Sequence, residues 1–227
     1  GGEPLARKGC PELIHMLKEI PGIEKIAMTT NGTLVRAILP ELVEAGLDEI
    51  NISLDTLDPG RFAAITGQDL LPEVLLAIDA ALAAGLKVKV NAVSMPDTDW
   101  KRLITLAKDK PVDVRFIELM PLGCGKDLTP IPTDEMIARC RETFGEMQED
   151  DTLHGYGPAR YMRPKGFVGS LGFISPLSHE FCSSCNRIRL TGDGFLKLCL
   201  NHKAGIDLRA MLRSGASDEE IGAAMKE

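Results

Sequence analysis

The chain has no apolar run of about eighteen residues, the length a membrane-crossing helix needs. Its first residues, GGEPLARKGC, contain no initiator Met, no apolar stretch and no small-residue cleavage site, so they do not read as a signal peptide. They read as a loop taken from within a longer protein. An excess of positive charge is also missing. The formal net charge is −7, which disfavours a nucleic-acid partner; an anionic small ligand is still allowed, because local clusters matter more than the total. Cysteine is scarce: six in 227 residues do not make a disulfide scaffold. Cys10, Cys124 and Cys140 are scattered, whereas Cys182, Cys185 and Cys199 are grouped. That split fits a reducing, cytoplasmic compartment and one metal site. No G-x-S-x-G, H-E-x-x-H or G-x4-G-K-[ST] motif occurs. His15 reads as helix surface and His154 as part of a glycine-rich linker, neither with partners for acid–base work.

What is present is a rhythm of helix and strand. Apolar spacing predicts a helix over Glu12–Glu19, stopped by Pro21-Gly22. IEKIAMTT reads as a strand, and Asn31-Gly32 as a turn into a helical region that runs to Ala45 and is interrupted or restarted at Pro40. A strand follows from about Asp48 to Leu54, then a helix from about Pro72 to Ala84, then the strand LKVKVNAVS. Asp97 is a candidate cap for a helix over Thr98–Lys108. VDVRFIELM reads as a strand, and a helix starts at Thr133. ELVEAGLDEINIS matches AALAAGLKVKVNA position by position, so a helix–strand unit repeats and implies a parallel sheet with covering helices. On that template Thr29 and Ser53 occupy equivalent strand ends. Ligands of such folds collect at the C-terminal ends of strands, which places Thr29, Ser53, Asn91 and the Arg115–Met120 stretch around one mouth. After Gly145 the pattern changes to short strands at Gly169–Ile174, Asn186–Leu190 and Phe195–Leu198, the last two joined by an Asp193-Gly194 turn. A helix is expected over Asp207–Leu212, and Ser217 with Glu220 forms a capping-box pattern for a final one.

Four sets of residues are candidates for chemistry. Cys182, Cys185 and Cys199 have the spacing C-x2-C-x13-C, suited to a structural zinc with a fourth ligand or to an iron–sulfur cluster. His179 and His202 lie near enough in sequence to complete a zinc site, and a Cys182–Cys185 redox pair is the bland alternative. Arg187 and Arg189 follow two apart; on a strand they share a side and point to a phosphate or carboxylate ligand, or else form a solvated basic edge. Lys89, within KVKVNAV, and Arg115 with Glu118, within VDVRFIELM, place charge in strands expected to be covered on both faces. They read equally as paired charges at sheet ends or as an anion pocket. Gly1-Gly2-Glu3-Pro4 is a tight loop through which a backbone can approach a ligand closely, although alone it marks only a turn.

Together GGEP (1–4), TTNG (29–32), NISLDTLD (51–58), KVKVNAV (87–93), VRFIELMP (114–121) and FCSSCNRIRLTGDGFLKLCL (181–200) resemble the molybdenum cofactor biosynthesis protein A family, the GTP 3′,8-cyclases of the radical S-adenosylmethionine superfamily. The resemblance runs through essentially the whole chain, and its most specific part is the C-terminal cysteine motif with Arg-x-Arg. It implies an α/β fold, an incomplete TIM-type (βα)6 barrel lacking its N-terminal strands, with a C-terminal iron–sulfur extension. It divides the chain into a partial barrel over residues 1–143 and a cluster-bearing region over 144–227 that closes the barrel. It implies two [4Fe–4S] clusters in the full-length protein, the second one ligated by Cys182, Cys185 and Cys199 with an open iron for guanine. Gly2, Glu3, Thr29, Ser53 and Met120 look like contacts to S-adenosylmethionine, and Lys89, Arg115, Arg187 and Arg189 like the basic set for the GTP triphosphate. The implied reaction removes the 3′ hydrogen of GTP with a 5′-deoxyadenosyl radical and joins C3′ to C8. Implied partners are GTP, an electron donor, a downstream cyclic pyranopterin monophosphate synthase and a second copy in a homodimer.

Two departures qualify the resemblance. The family's C-x3-C-x2-C motif is absent from these 227 residues, so it is expected upstream of Gly1, and the chain alone is expected not to cleave S-adenosylmethionine. GCGKDLTP (123–130) stands where some relatives carry a longer loop, and its Cys124 is expected to be a free thiol. The competing readings are another radical S-adenosylmethionine enzyme with an auxiliary cluster and a zinc-stabilised binding domain.

Overall fold

A computed structural model describes residues 2–121, 123–179, 182–200 and 204–226. His202 therefore lies outside the described residues, as does the side chain of Cys124. Helices and strands alternate as α1 (Cys10–Lys18), β1 (Ala27–Thr30), α2 (Val35–Glu44), β2 (Glu49–Ser53), α3 (Pro59–Thr66), α4 (Leu71–Ala83), β3 (Lys87–Ser94), α5 (Trp100–Asp109), β4 (Val112–Glu118) and α6 (Thr133–Phe144). Then come β5 (Met147–Glu149), β6 (Arg160–Pro164) and β7 (Ser170–Ile174). A second group follows: β8 (Arg189–Leu190), β9 (Phe195–Lys197), β10 (Gly205–Asp207), α7 (Leu208–Arg213) and α8 (Asp218–Ala224).

Strands β1 to β7 form one sheet in the order β1-β2-β3-β4-β7-β6-β5. The neighbours from β1 to β7 pair in parallel, and β6 and β5 return antiparallel. Alternation along these strands separates two faces. Ile50, Ile52, Val88, Val90, Val114 and Phe116 point to one face, each at most 1 % exposed, and join α2, α4 and α5 in the core. Each such side chain contributes roughly 1.5–3 kcal/mol of transfer free energy. The opposite face is polar.

By its contacts the chain divides into residues 3–181 and a smaller unit of residues 182–227 with the first two residues. The boundary expected after residue 143 lies one residue before the end of α6, within residues 3–181. The smaller unit holds the antiparallel sheet β10-β9-β8 and the last two helices. Around Asp193-Gly194 the Thr191 amide donates to the Phe195 carbonyl and the Phe195 amide donates to Thr191 Oγ1, both at 3.0 Å, and Gly194 has φ +84, a conformation that favours glycine. Ser217 and Glu220 complete the capping box.

Several local expectations change. Pro40 does not interrupt α2. It lies on the exposed side directly above Arg36, so the carbonyl left without an N–H donor faces water, while buried Val35, Leu39 and Leu42 hold the helix against the sheet. Asp97 does not cap α5. Thr98 closes a turn after β3 by donating to the Val93 carbonyl at 2.7 Å, which moves the helix start to Trp100, and Asp97 pairs with Arg61 at 2.5 Å. Helix α3 was not expected, although Asp58 accepts from the Arg61 amide at 2.8 Å and Pro59 follows as the first helical residue. Strand β8 covers Arg189 and Leu190 only, so strand alternation no longer ties Arg187 to the side of Arg189. No described helix is long and apolar enough to cross a membrane.

Candidate functional site

The polar face of the large sheet is built in rows by strand register. Thr29 pairs with Asn51, Asn51 with Lys89, Lys89 with Asp113 and Asp113 with Ser170. The next row, one step toward the C-terminal ends, is Ser53, Asn91, Arg115, Gly172 and Tyr161. Thr29 and Ser53 thus share a face but not a level, against their equivalence in the repeat template. Both are exposed.

The charges on this face are not equivalent. Lys89 is 4 % exposed and hydrogen-bonds Glu49. Burial pushes its ammonium below the ordinary lysine range, and Glu49 works against that shift. Arg115 instead donates from Nε to Asn91 Oδ1 at 2.7 Å and from its Nη2 to Asn51 Oδ1 at 2.6 Å. Both acceptors are neutral amides, so they orient the guanidinium and leave its charge available. Glu118, at the end of β4, accepts from the amides of Leu177 and Ser178, both at 2.9 Å, and holds the chain as it leaves β7.

Residues 150–158 cross the N-terminal ends of the parallel strands. Lys87 donates to the Leu153 carbonyl at 2.8 Å, and the Tyr156 hydroxyl donates to Glu24 at 3.1 Å. Gly155 has φ +127, a conformation that favours glycine, and a Cβ there would stand 2.8 Å from Lys89 Nζ. His154 anchors this strap. It is buried, with Nδ1 2.8 Å from Asp113 Oδ2 and Nε2 2.9 Å from Thr152 Oγ1 and 3.1 Å from Asp150 Oδ2. Burial alone would raise the Asp150 carboxyl, but hydrogen bonds from Ser170, Thr152 and Arg163 hold it well below the usual carboxylate range. His154, expected in a linker without partners, sits instead at the centre of a buried polar network. Asp113, inside a strand otherwise apolar on both sides of it, was the one sequence signal for such a network.

The Gly2–Pro4 loop is fastened by Glu3. Its Oε1 accepts from the Thr30 hydroxyl at 2.6 Å and the Leu5 amide at 3.1 Å, and its Oε2 accepts from the Asn31 amide at 2.7 Å. Glu3 thereby ties the loop to the C-terminal end of β1. Gly2 is exposed, with nothing within 4 Å of where a Cβ would stand. Met120 is half-buried just beyond β4, and its carbonyl lies against Gly125.

In the smaller unit Cys182 and Cys185 share one tight turn, the Cys185 amide donating to the Cys182 carbonyl at 3.2 Å, and both are exposed. Arg189 pairs with Lys197 across β8 and β9. Hydrogen bonding from Arg187 lowers the Cys185 thiol, which favours the thiolate a metal ligand must be. Three thiols close in sequence, one of them biased to thiolate, are of the donor type an iron–sulfur cluster takes. Among the described residues, no three His, Cys, Asp or Glu side chains are gathered at metal-holding geometry. His179 is engaged by Asp134 at 3.0 Å.

Two family models match the chain: the radical SAM superfamily over residues 1–109, and Molybdenum Cofactor Synthesis C over residues 112–227. A GTP 3′,8-cyclase of Clostridium perfringens (strain 13 / Type A) is 45 % identical over 224 residues, covering 97 % of this chain and 69 % of that protein. One from Heliobacterium modesticaldum is 44 % identical, covering 96 % of this chain and 69 % of that protein. One from Rhizobium meliloti is 43 % identical, covering 100 % and 67 %. The chain belongs to the GTP 3′,8-cyclase family of the radical SAM superfamily.

Proposed function

We propose that this chain acts as a GTP 3′,8-cyclase, binding GTP on the polar face of its sheet and converting it to (8S)-3′,8-cyclo-7,8-dihydroguanosine 5′-triphosphate. The observation that carries the reading is Arg115: a guanidinium oriented by two neutral amides, on a parallel-sheet face, in a chain of this family. Arg187 and Arg189 are assigned to phosphate binding, as is Lys89, which also pairs with Glu49. Guanidiniums suit this task because their fork of donors matches phosphate oxygens.

Cys182, Cys185 and Cys199 would hold a [4Fe–4S] cluster that leaves one iron open to the guanine base. Thr29, Ser53, Met120 and the Gly2 loop held by Glu3 are assigned to S-adenosylmethionine. When bound, the clusters and S-adenosylmethionine supply the radical chemistry. The chain's own residues bind, orient and shield. The amides of Asn51 and Asn91 fix the phosphate ligand, and the 150–158 strap covers Lys89 from the N-terminal side. The finer architecture in this reading is an incomplete (βα)6 barrel with a C-terminal cluster region. The product passes to a cyclic pyranopterin monophosphate synthase, an electron donor supplies reducing equivalents, and the working assembly is a homodimer in the cytoplasm.

The test is nucleotide binding after anaerobic loading with iron and sulfide. GTP is expected to bind more tightly than ATP, and Arg115→Ala to weaken GTP by roughly tenfold or more, the loss of a charge-assisted contact. Equal affinities for GTP and ATP, or no effect of Arg115→Ala, would overturn the reading. Stoichiometric zinc without iron or sulfide would favour the binding-domain alternative.

A further inference from the structure

Tyr161 has no part in the assignments above, yet it lies in the row of Arg115. It pairs with Gly172 on β7, and Gly172 pairs with Arg115 on β4. Gly172 is the reason the outer two can meet. A Cβ at that position would stand 2.8 Å from Arg115 Cγ and 2.9 Å from Tyr161 Cε1, so the two side chains lean together over a residue that has none.

The phenol is also held in a fixed plane. His154 stacks on it with ring centroids 3.9 Å apart and planes 12° apart. Both nitrogens of that imidazole are occupied by Asp113, Thr152 and Asp150, so the ring serves Tyr161 as a platform and not as a hydrogen-bond partner. The Arg115 guanidinium, its neighbour across Gly172, pulls the Tyr161 phenol down by its charge. A guanidinium can only donate, so Arg115 cannot take the phenol proton. Burial pushes the phenol up to about 12, against the pull of Arg115, so at neutral pH that proton is present. Among the described residues no acceptor for it is found. A neutral donor fixed beside an orienting arginine suits an anionic oxygen.

We propose that Tyr161 is a further substrate-binding residue, its hydroxyl donating to the phosphate engaged by Arg115, with His154 holding the ring in place. This rests on the reading of Arg115 as a phosphate ligand. Tyr161→Phe keeps the ring and its stacking and removes the donor. In the iron- and sulfide-loaded protein, Tyr161→Phe is expected to weaken GTP binding by about tenfold, as for one hydrogen bond to a charged acceptor, and to leave guanosine binding unchanged. An unchanged GTP affinity, or equal losses for GTP and guanosine, would overturn it. Should the variant not fold, 3-fluorotyrosine labelling reads the same contact. The chain has two tyrosines, and Tyr156→Phe assigns the signals. GTP is expected to shift the Tyr161 resonance and guanosine to leave it unmoved; a resonance insensitive to GTP overturns the proposal. The parent reading fails separately: a wild-type protein that binds no GTP refutes that reading, whereas GTP binding sensitive to Arg115→Ala but not to Tyr161→Phe refutes only this one.

Discussion

His154 lies flat against Tyr161 while its two ring nitrogens face Asp113 on β4 and Asp150 beside β6. One imidazole therefore joins the strap, two strands that are not neighbours in the sheet, and an aromatic ring on the polar face. A short, partly irregular segment is made definite by these contacts.

Removing that imidazole should release the strap. His154→Ala leaves Asp113 and Asp150 with fewer partners in a buried setting, at a cost of about 3 kcal/mol. The expected outcome is a fall in Tm of several degrees and faster limited proteolysis within residues 151–158. Proteolysis patterns identical to wild type would mean that Lys87 and Tyr156 hold the strap without His154.

Lys89 and Glu49 should behave as one unit. Their side chains are 5 % and 14 % exposed, so losing one leaves the other charged and poorly solvated. Lys89→Met is expected to cost about 3 kcal/mol, and Lys89→Met with Glu49→Gln clearly less than the sum of the single changes. A double-mutant cycle by urea denaturation measures this. Additive effects would show that the two side chains act independently.

Asp150 predicts the acid limb of stability. Its folded carboxyl is held below the usual range, so the folded state binds fewer protons than the unfolded state as the pH falls past the unfolded value, near 4. Its contribution is full above that value and is lost as the pH drops toward the folded one. Asp150→Asn should therefore destabilise the protein at pH 7 and flatten the loss between about pH 4 and pH 2. Stability curves that run parallel for wild type and variant across that interval would refute it.

Glu3 should matter to its loop and little to the core. Glu3→Gln replaces one acceptor oxygen with an NH2 group, which cannot accept from a backbone N–H. The amides of Leu5 and Asn31 are expected to exchange hydrogen faster, while exchange in β2 and β3 stays unchanged. Hydrogen-exchange mass spectrometry on peptides spanning 2–6 and 28–34 reads the effect.

Much of the frame was legible in the chain. The Ala-Gly repeat, period-two alternation in KVKVNAV and VDVRFIELM, and apolar spacing in the 71–83 helix each reflect local geometry, and local geometry is written in neighbouring residues. In KVKVNAV that alternation sets Lys87 and Lys89 on the face opposite buried Val88 and Val90. Capping chemistry at Ser217 and Glu220 was readable for the same reason. Pro40 misled because its cost depends on whether the freed carbonyl meets water or protein, and that depends on which side of the helix the sheet covers.

The residue types and spacings alone determined the helix–strand order, the grouped thiols, the Arg-x-Arg pair and the family to which they point. Tertiary structure alone decided which partner each charge meets. Lys89 and Arg115 look alike in sequence, each a cation in an apolar strand, yet register gives one a carboxylate and the other two amides. It also decided that His154, from a glycine-rich stretch, meets Asp113 forty-one residues away. Burial and charge pairing are properties of distant segments brought together, and no window of sequence contains both partners.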